Sequence, residues 1–305
     1  MTRHFTELSD LGVDGLLRVL DSADRYRDTR GKAGTPRPLA GKSVALIFEK
    51  ASTRTHLSLE VAVTELGGHP IALSTLTSQL GRGEPVADTA RVLSRMVHVV
   101  TLRTYEHEKL LELARHSSVP VLNALTDHNH PIQLLADLQT VRQVRGTLEG
   151  LSYVWIGDGN NMANSWLEAA GLLAFDLTLA CPEGYDPDPG EVARARERGA
   201  QVRVVRDVKE AAKNADVIST DVFASMGQES EQAARVEAFR GFSVTREVVA
   251  CASPEVMVLH CLPAHRGEEI EAEVIDGPHS HVWAQAEARL HTAKALLEWA
   301  LEPTS

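Results

Sequence analysis

No run of residues in this chain approaches the roughly 20 consecutive apolar positions that a membrane-spanning helix needs, and aromatic residues make up only 5% of its 305 residues. No membrane partner is therefore expected. Cysteine is scarce: Cys181, Cys251 and Cys261 form an odd set whose spacings match no zinc pattern. Neither a disulfide framework nor a structural metal is expected, and a reducing cytoplasmic setting is the simplest reading. Positive charge is in deficit, with a formal net charge of −11. A nucleic-acid binder carries a basic footprint, so that class is set aside. The opening MTRHFTELSD lacks the apolar core of a secretory signal. Internal repeats and low-complexity tracts are also missing.

What the chain does have is alternation. The length suits two domains of about 150 residues each. SVALIF (43–48), HPIALS (69–74), HVVTLR (98–103) and VPVLNAL (119–125) read as strands. LSLEVAVTEL, VADTARVLSRM and EKLLELAR lie between them and read as helices, with Val86, Ala90, Leu93 and Val97 on one apolar stripe. Pro131 stands where a further helix should begin. After the glycine-bearing break GTLEG (146–150), the alternation restarts with LSYVWIG, DLTLAC, QVRVV, DVIST and VMVLHC. Long amphipathic patterns stand near both ends of the chain. This predicts an α/β protein of two doubly wound parallel-sheet domains linked by terminal and interdomain helices. The expected boundaries are 1–145, 146–285 and a C-terminal helix, 286–305, packing back on the first domain.

Six segments carry polar chemistry at strand ends, where parallel α/β sheets bind ligands. Ser52-Thr53-Arg54-Thr55 joins a strand to a helix. A helix N-terminus with hydroxyls and a guanidinium suits a phosphate, although a plain N-cap uses the same residues. SQLGRGEP (78–85) is a glycine-rich loop containing Gln79. DHNHPIQ (127–133) sets His130 and Gln133 at a helix start, where both can donate to a carbonyl oxygen or simply cap the helix. WIGDGNNMANSW (155–166) resembles a dinucleotide fingerprint through Gly157 and Gly159, but Met162 replaces the third glycine. Its side-chain amides suit a polar small molecule better. STDVFASMGQESE (219–231) places Asp221 after a strand, a natural partner for an ammonium group. VMVLHCLPAHRGEEI (256–270) ends a buried strand at Cys261. The His279/His281 pair reads as a surface turn.

Taken in this order, FEKASTRT, SQLGRGE, HPIQLLADLQT, GDGNNMANS, TDVFASMGQE and HCLPAHRGEE make the whole chain resemble the transcarbamylase family, and within it the ornithine branch. STRT and HPxQ mark the carbamoyl phosphate half that all transcarbamylases share. The SMG and HCLP segments mark the ornithine branch. The resemblance implies that Ser52, Thr53, Arg54 and Thr55 bind phosphate and that Arg103 is a second cationic clamp. His130 and Gln133 would hold the carbamoyl group. Gln79 would reach a neighbouring subunit's site in a homotrimer with shared active sites. Asn161, Asp221, Ser225 and Met226 would bind ornithine, Cys261 and Leu262 would form the catalytic pair, and Arg289 would be the family's late arginine. No metal or organic cofactor is implied.

The implied chemistry is consistent with those residues. Carbamoyl phosphate and an amine give a ureido product and phosphate. The amine must attack in its neutral form, yet an alkylammonium loses its proton only near pH 10.4. Cys261, polarised by Asp221, is the group expected to bind and orient it, without a thioester. Arg54, Arg103 and His130 would stabilise the oxyanion and the leaving phosphate. One position departs from the family's pattern: His56 stands where arginine usually follows STRT. A permanent charge gives way to one that depends on pH, so phosphate affinity is expected to change. Two alternatives stay open at this point: a paralogue acting on another diamine or diamino acid, and a catalytically silent binding paralogue.

Overall fold

The computed structural model describes residues 2–50, 52–74, 83–224 and 232–302. The chain divides into two compact units, Met1–Gln139 with Glu287–Ser305, and Thr140–Ala286. Each is a parallel α/β sheet carrying helices.

In the first unit, β1 (Ser43–Phe48), β2 (His69–Ser74), β3 (Val99–Arg103) and β4 (Val121–Leu125) lie in the order β2-β1-β3-β4. The intervening helices are α2 (Thr53–Glu65), α3 (Val86–Leu93) and α4 (His107–His116), with α1 (Gly12–Thr29) ahead of them. Every residue of β3 is buried, as expected where helices cover a parallel sheet. Ala90, Leu93 and Val97 belong to the core, and Val86 packs against it. The stripe is real, but its helix is shorter than the pattern suggests. Ser94 caps α3 and returns its hydroxyl to the Ala90 carbonyl at 2.7 Å, so Val97 lies beyond the helix.

The division between the units falls inside α5 (Pro131–Arg145) and again inside α12 (Val282–Leu301). The second unit holds β5 (Ser152–Ile156), β6 (Asp176–Ala180), β7 (Val202–Val205), β8 (Val217–Thr220) and β9 (Met257–His260), in the order β7-β6-β5-β8-β9. Side-chain caps start α6 (Asn161–Leu173), α7 (Pro189–Glu197) and α8 (Val208–Ala212), from Asn160, Asp188 and Asp207 respectively. Three further short helices are α9 (Gln232–Ala238), α10 (Arg246–Val249) and α11 (Ala272–Ile275). Both sheets are doubly wound. The strand order reverses at β1/β3 in the first unit and at β5/β8 in the second, and such reversals open a crevice at the strands' carboxyl ends. Among the described residues, no helix is long and apolar enough to cross a membrane.

The later part of α12 is tied to the first unit by charge. The Lys294 ammonium is buried and meets Glu65, which also takes Arg30 at 3.0 Å. Burial alone would raise the Glu65 carboxyl. Hydrogen bonds and charge from Arg30 and Lys294 outweigh that and hold it below its ordinary range. A carboxyl depressed in the folded state adds stability above its unfolded pKa and loses it as pH falls through the folded one. Glu65→Gln should therefore cost about 2 kcal/mol at neutral pH, since it removes the charge facing a buried ammonium. It should also flatten the loss of stability below about pH 4.5. Denaturant melts at pH 7, 5 and 3.5 measure both effects.

Candidate active site

The first unit gathers its polar groups at the carboxyl ends of β1, β3 and β4. Ser52 is the N-cap residue of α2, with extended φ and ψ of −156° and 103°, but its side chain makes no capping hydrogen bond. The hydroxyl is thus not committed to the role that a bland reading would give it. Thr53 is exposed, Arg54 half-buried and Thr55 buried. Register pairs Phe48 with Arg103, so the phosphate-type turn begins beside the cation that ends β3. Arg103 is only 8% exposed.

His130 precedes the proline that heads α5 and is buried. Its imidazole is held well below the ordinary histidine range, first by burial and then by the charges of Arg289 and Arg103. It is therefore neutral at physiological pH, a form with one N–H to donate. Arg289 donates from Nη2 to Thr55 Oγ1 at 2.6 Å and from Nη1 to Gln133 Oε1 at 2.9 Å. Gln133 passes its own amide to Asp137 Oδ1 at 2.8 Å. Thr55, Arg103, His130, Gln133 and Arg289 thus belong to one cationic, hydrogen-bonded half-site. Sequence reading missed Asp137, although its place four residues after Gln133 on one helix face was a usable signal.

His56 sits one turn into α2. Its ring lies 4.8 Å from that of Phe48 at 37°, and its Nε2 is 3.5 Å from Glu60. The imidazole packs the helix start against the end of β1.

The second unit does the same with the opposite charge. Thr220 and His260 are register partners in β8 and β9, so the residues that follow them stand level. Cys261 Sγ donates to Asp221 Oδ1 at 3.0 Å, and the same oxygen accepts from the Val222 N–H at 2.8 Å. Burial raises the Asp221 carboxyl, while His260, the Cys261 thiol and the Val222 amide partly offset the rise. His260 turns away, as strand alternation requires. Its Nδ1 accepts from the Leu262 N–H at 2.9 Å and its Nε2 faces Glu269 Oε1 at 3.0 Å. Those bonds fix Leu262, which adopts a left-handed φ of 59°. Glu269 gave no signal in the sequence, because its partner is set by the return of the chain.

Asp221, His260 and Cys261 offer metal-capable atoms within 4.8 Å of one another. Both imidazole nitrogens and the thiol already have hydrogen-bond partners, which fits a hydrogen-bonded chain better than an ion. Asn161 is the first residue of α6 and half-buried. Gln79, Ser225 and Met226 lie outside the described residues.

The glycines of GDGNN have a local explanation. Gly157 has a φ of 142°, a conformation that side chains disfavour. A Cβ on Gly159 would stand 2.2 Å from the Asp186 carbonyl carbon. The space that a dinucleotide turn gives to pyrophosphate is here filled by the chain's own backbone. Asn160 caps α6 by accepting from the amides of Met162 and Ala163.

Known proteins share this arrangement. A profile described as the carbamoyl-P binding domain of aspartate/ornithine carbamoyltransferase matches residues 3–143, and one described as its Asp/Orn binding domain matches residues 149–300. An ornithine carbamoyltransferase of Geobacter metallireducens is 53% identical across 97% of this chain and 98% of its own length. An anabolic ornithine carbamoyltransferase of Pseudomonas aeruginosa is 49% identical across 98% of this chain and 97% of its own. The solved ornithine carbamoyltransferase of Pyrococcus furiosus superposes with a TM-score of 0.92 at 45% identity, covering 97% of this chain and 96% of that one. With both halves matched and half of its residues shared with such relatives, the chain belongs to the aspartate/ornithine carbamoyltransferase family.

Proposed function

We propose that this protein transfers the carbamoyl group of carbamoyl phosphate to the side-chain amine of L-ornithine, giving L-citrulline and phosphate. The observation that carries the choice of acceptor is the buried Cys261–Asp221 pair at the ends of β9 and β8. A carboxylate at that place attracts an ammonium and repels the second carboxylate that an aspartate acceptor would bring. A diamino acid fits and aspartate does not.

The proposed chemistry follows from the two half-sites. Ser52, Thr53, Arg54 and Thr55, with Arg103, hold the phosphate through the helix N-terminus and bidentate guanidinium bonds. Neutral His130 and Gln133 address the carbamoyl group, and Arg289 links Gln133 to the phosphate turn. Asn161, Ser225 and Met226 hold the amino-acid end of ornithine. Asp221 and Cys261 accept the side-chain ammonium and orient it as it loses its proton. The amine nitrogen then bonds to the carbonyl carbon, and the bond to the phosphate oxygen breaks. The cations facing that oxygen stabilise the charge that develops there. Gln79 completes the site of a neighbouring subunit in a homotrimer. The enzyme works in the cytoplasm and serves arginine biosynthesis, a reading that the anabolic relative supports.

Phosphate release measured with ornithine, lysine, putrescine and aspartate tests the reaction. Ornithine should give the highest kcat/KM and aspartate none. Release with putrescine or lysine but not ornithine would sink the choice of acceptor.

Cys261→Ser should keep the fold and lower kcat about 10- to 100-fold, the equivalent of roughly 1.5–3 kcal/mol for a hydrogen bond to a charged group. Steady-state kinetics with saturating carbamoyl phosphate read this directly. His130 should titrate well below 6.5 in the folded protein, followed by imidazole NMR. Because its folded pKa lies below the unfolded one, the native state binds fewer protons, and stability falls as pH drops through about 6.5. His130→Gln, which keeps an N–H donor, should retain more activity than His130→Ala and weaken that acid dependence.

A further inference from the structure

The helix α9 presents an anomaly. Among its seven residues, the buried one is an arginine, Arg235. Arginine is almost never fully buried unless it is paired. Its Nη1 donates to Asp158 Oδ2 at 2.7 Å and to the Phe223 carbonyl at 3.1 Å, and its guanidinium lies 5.1 Å from the centre of the Tyr185 ring. Each partner belongs to a segment that carries the acceptor half-site. Asp158 stands in the turn from β5 to α6, two residues before the Asn160 cap and three before Asn161. Phe223 follows Asp221 by two residues and stacks on Phe239, 4.7 Å away, just past α9. Arg235 therefore bridges the two strand ends that flank the β5/β8 reversal.

We propose that Arg235 is a positioning residue that sets acceptor specificity: it holds the β5 and β8 turns together and neutralises Asp158, leaving Asp221 as the anion available to the substrate's ammonium. The proposal rests on the reading of Asp221 given above. Stability alone does not account for such a pair, since an apolar side chain of similar volume often serves a buried position as well or better. Charge does. Asp158 is only 12% exposed in its side chain, and it interacts electrostatically with Asp221. Two carboxylates in one low-dielectric region compete for protons and for any cation that enters. A guanidinium fixed on one of them removes the competition. The backbone supports the placement: Gly159 N–H donates to the Tyr185 carbonyl at 2.9 Å and Trp155 Nε1 to the Asp158 carbonyl at 2.9 Å.

The test uses Arg235→Met, Arg235→Lys, Asp158→Asn and the double variant Asp158→Asn/Arg235→Met in the full-length protein. Arg235→Met should raise KM for ornithine tenfold or more and leave KM for carbamoyl phosphate within twofold. With Asp158 unpaired, Asp221 should hold its proton more tightly, so the acid limb of kcat/KM for ornithine should move to higher pH. The double variant should bring that limb back toward the wild-type position, and Arg235→Lys should fall between. A lower melting temperature with an unmoved limb and an unchanged ratio of the two KM values would overturn the proposal and leave Arg235 a packing residue. Carboxyl carbon NMR of Asp221 in wild type, Arg235→Met and Asp158→Asn reads the same coupling without turnover. If wild type releases no phosphate with any amine, the functional reading fails, and the Asp221 titration still decides the clamp. An Asp221 resonance that titrates identically in wild type and Arg235→Met would reject it.

Discussion

Everything functional in this chain depends on parallel strand register. Parallel strands end on the same edge of a sheet, so each strand-to-helix turn delivers its side chains to one side. Pairing of Phe48 with Arg103 sets the phosphate-type turn beside a buried cation. Pairing of Thr220 with His260 sets Cys261 level with Asp221 and leaves 3.0 Å between sulfur and oxygen. A slip of one residue in either pair would turn the following side chain to the other face. The chemistry therefore needs no long-range design beyond the hydrogen-bonded ladder, with local turns to aim each group.

The two units sort charge by the substrate each would hold. Arg54, Arg103 and Arg289 gather in the first, and the second places a buried carboxylate next to a thiol. His130 shows why the sorting matters. Surrounded by two arginines and cut off from water, it cannot readily take a proton. A cation there would add little for a phosphate already matched by guanidinium groups, whereas a neutral donor can follow a carbonyl oxygen as charge grows on it. Asp221 is the converse case: burial raises its carboxyl, and the thiol and amide bonds to Oδ1 keep it an acceptor.

Much of this was legible in the sequence because the signals are local. A strand, a turn and a helix start occupy a dozen residues, so STRT, HPIQ and HCLP each announced both their element and their chemistry. The two doubly wound sheets followed from alternation alone. What stayed hidden was set by partners far away in the chain. Arg289 meets Thr55 across 234 positions and Gln133 across 156, and Arg235 meets Asp158 across 77. Nothing in the residues around either arginine names its partner. Short helices such as α8, α10 and α11 span only four or five residues, too few for a 3.6-residue period to show. Gly159 was visible, but its reason was not: the backbone it admits belongs to a loop that the sequence places 27 residues on.

His56 illustrates how packing changes the meaning of a departure. Read along the chain, an imidazole in place of arginine beside a phosphate turn is a lost permanent charge. In the fold its ring lies against Phe48, the last residue of β1, and its Nε2 approaches Glu60 one turn further along α2. The side chain thus joins the strand end to the helix start across the turn that holds Ser52 and Arg54. An arginine could pair with Glu60 equally well, but its guanidinium is a longer and more mobile group than an imidazole stacked at 4.8 Å. The substitution exchanges reach for rigidity in the segment whose shape matters most to anion binding. The cost of that exchange falls on charge near the phosphate turn, where Arg54 and Arg103 remain to supply it.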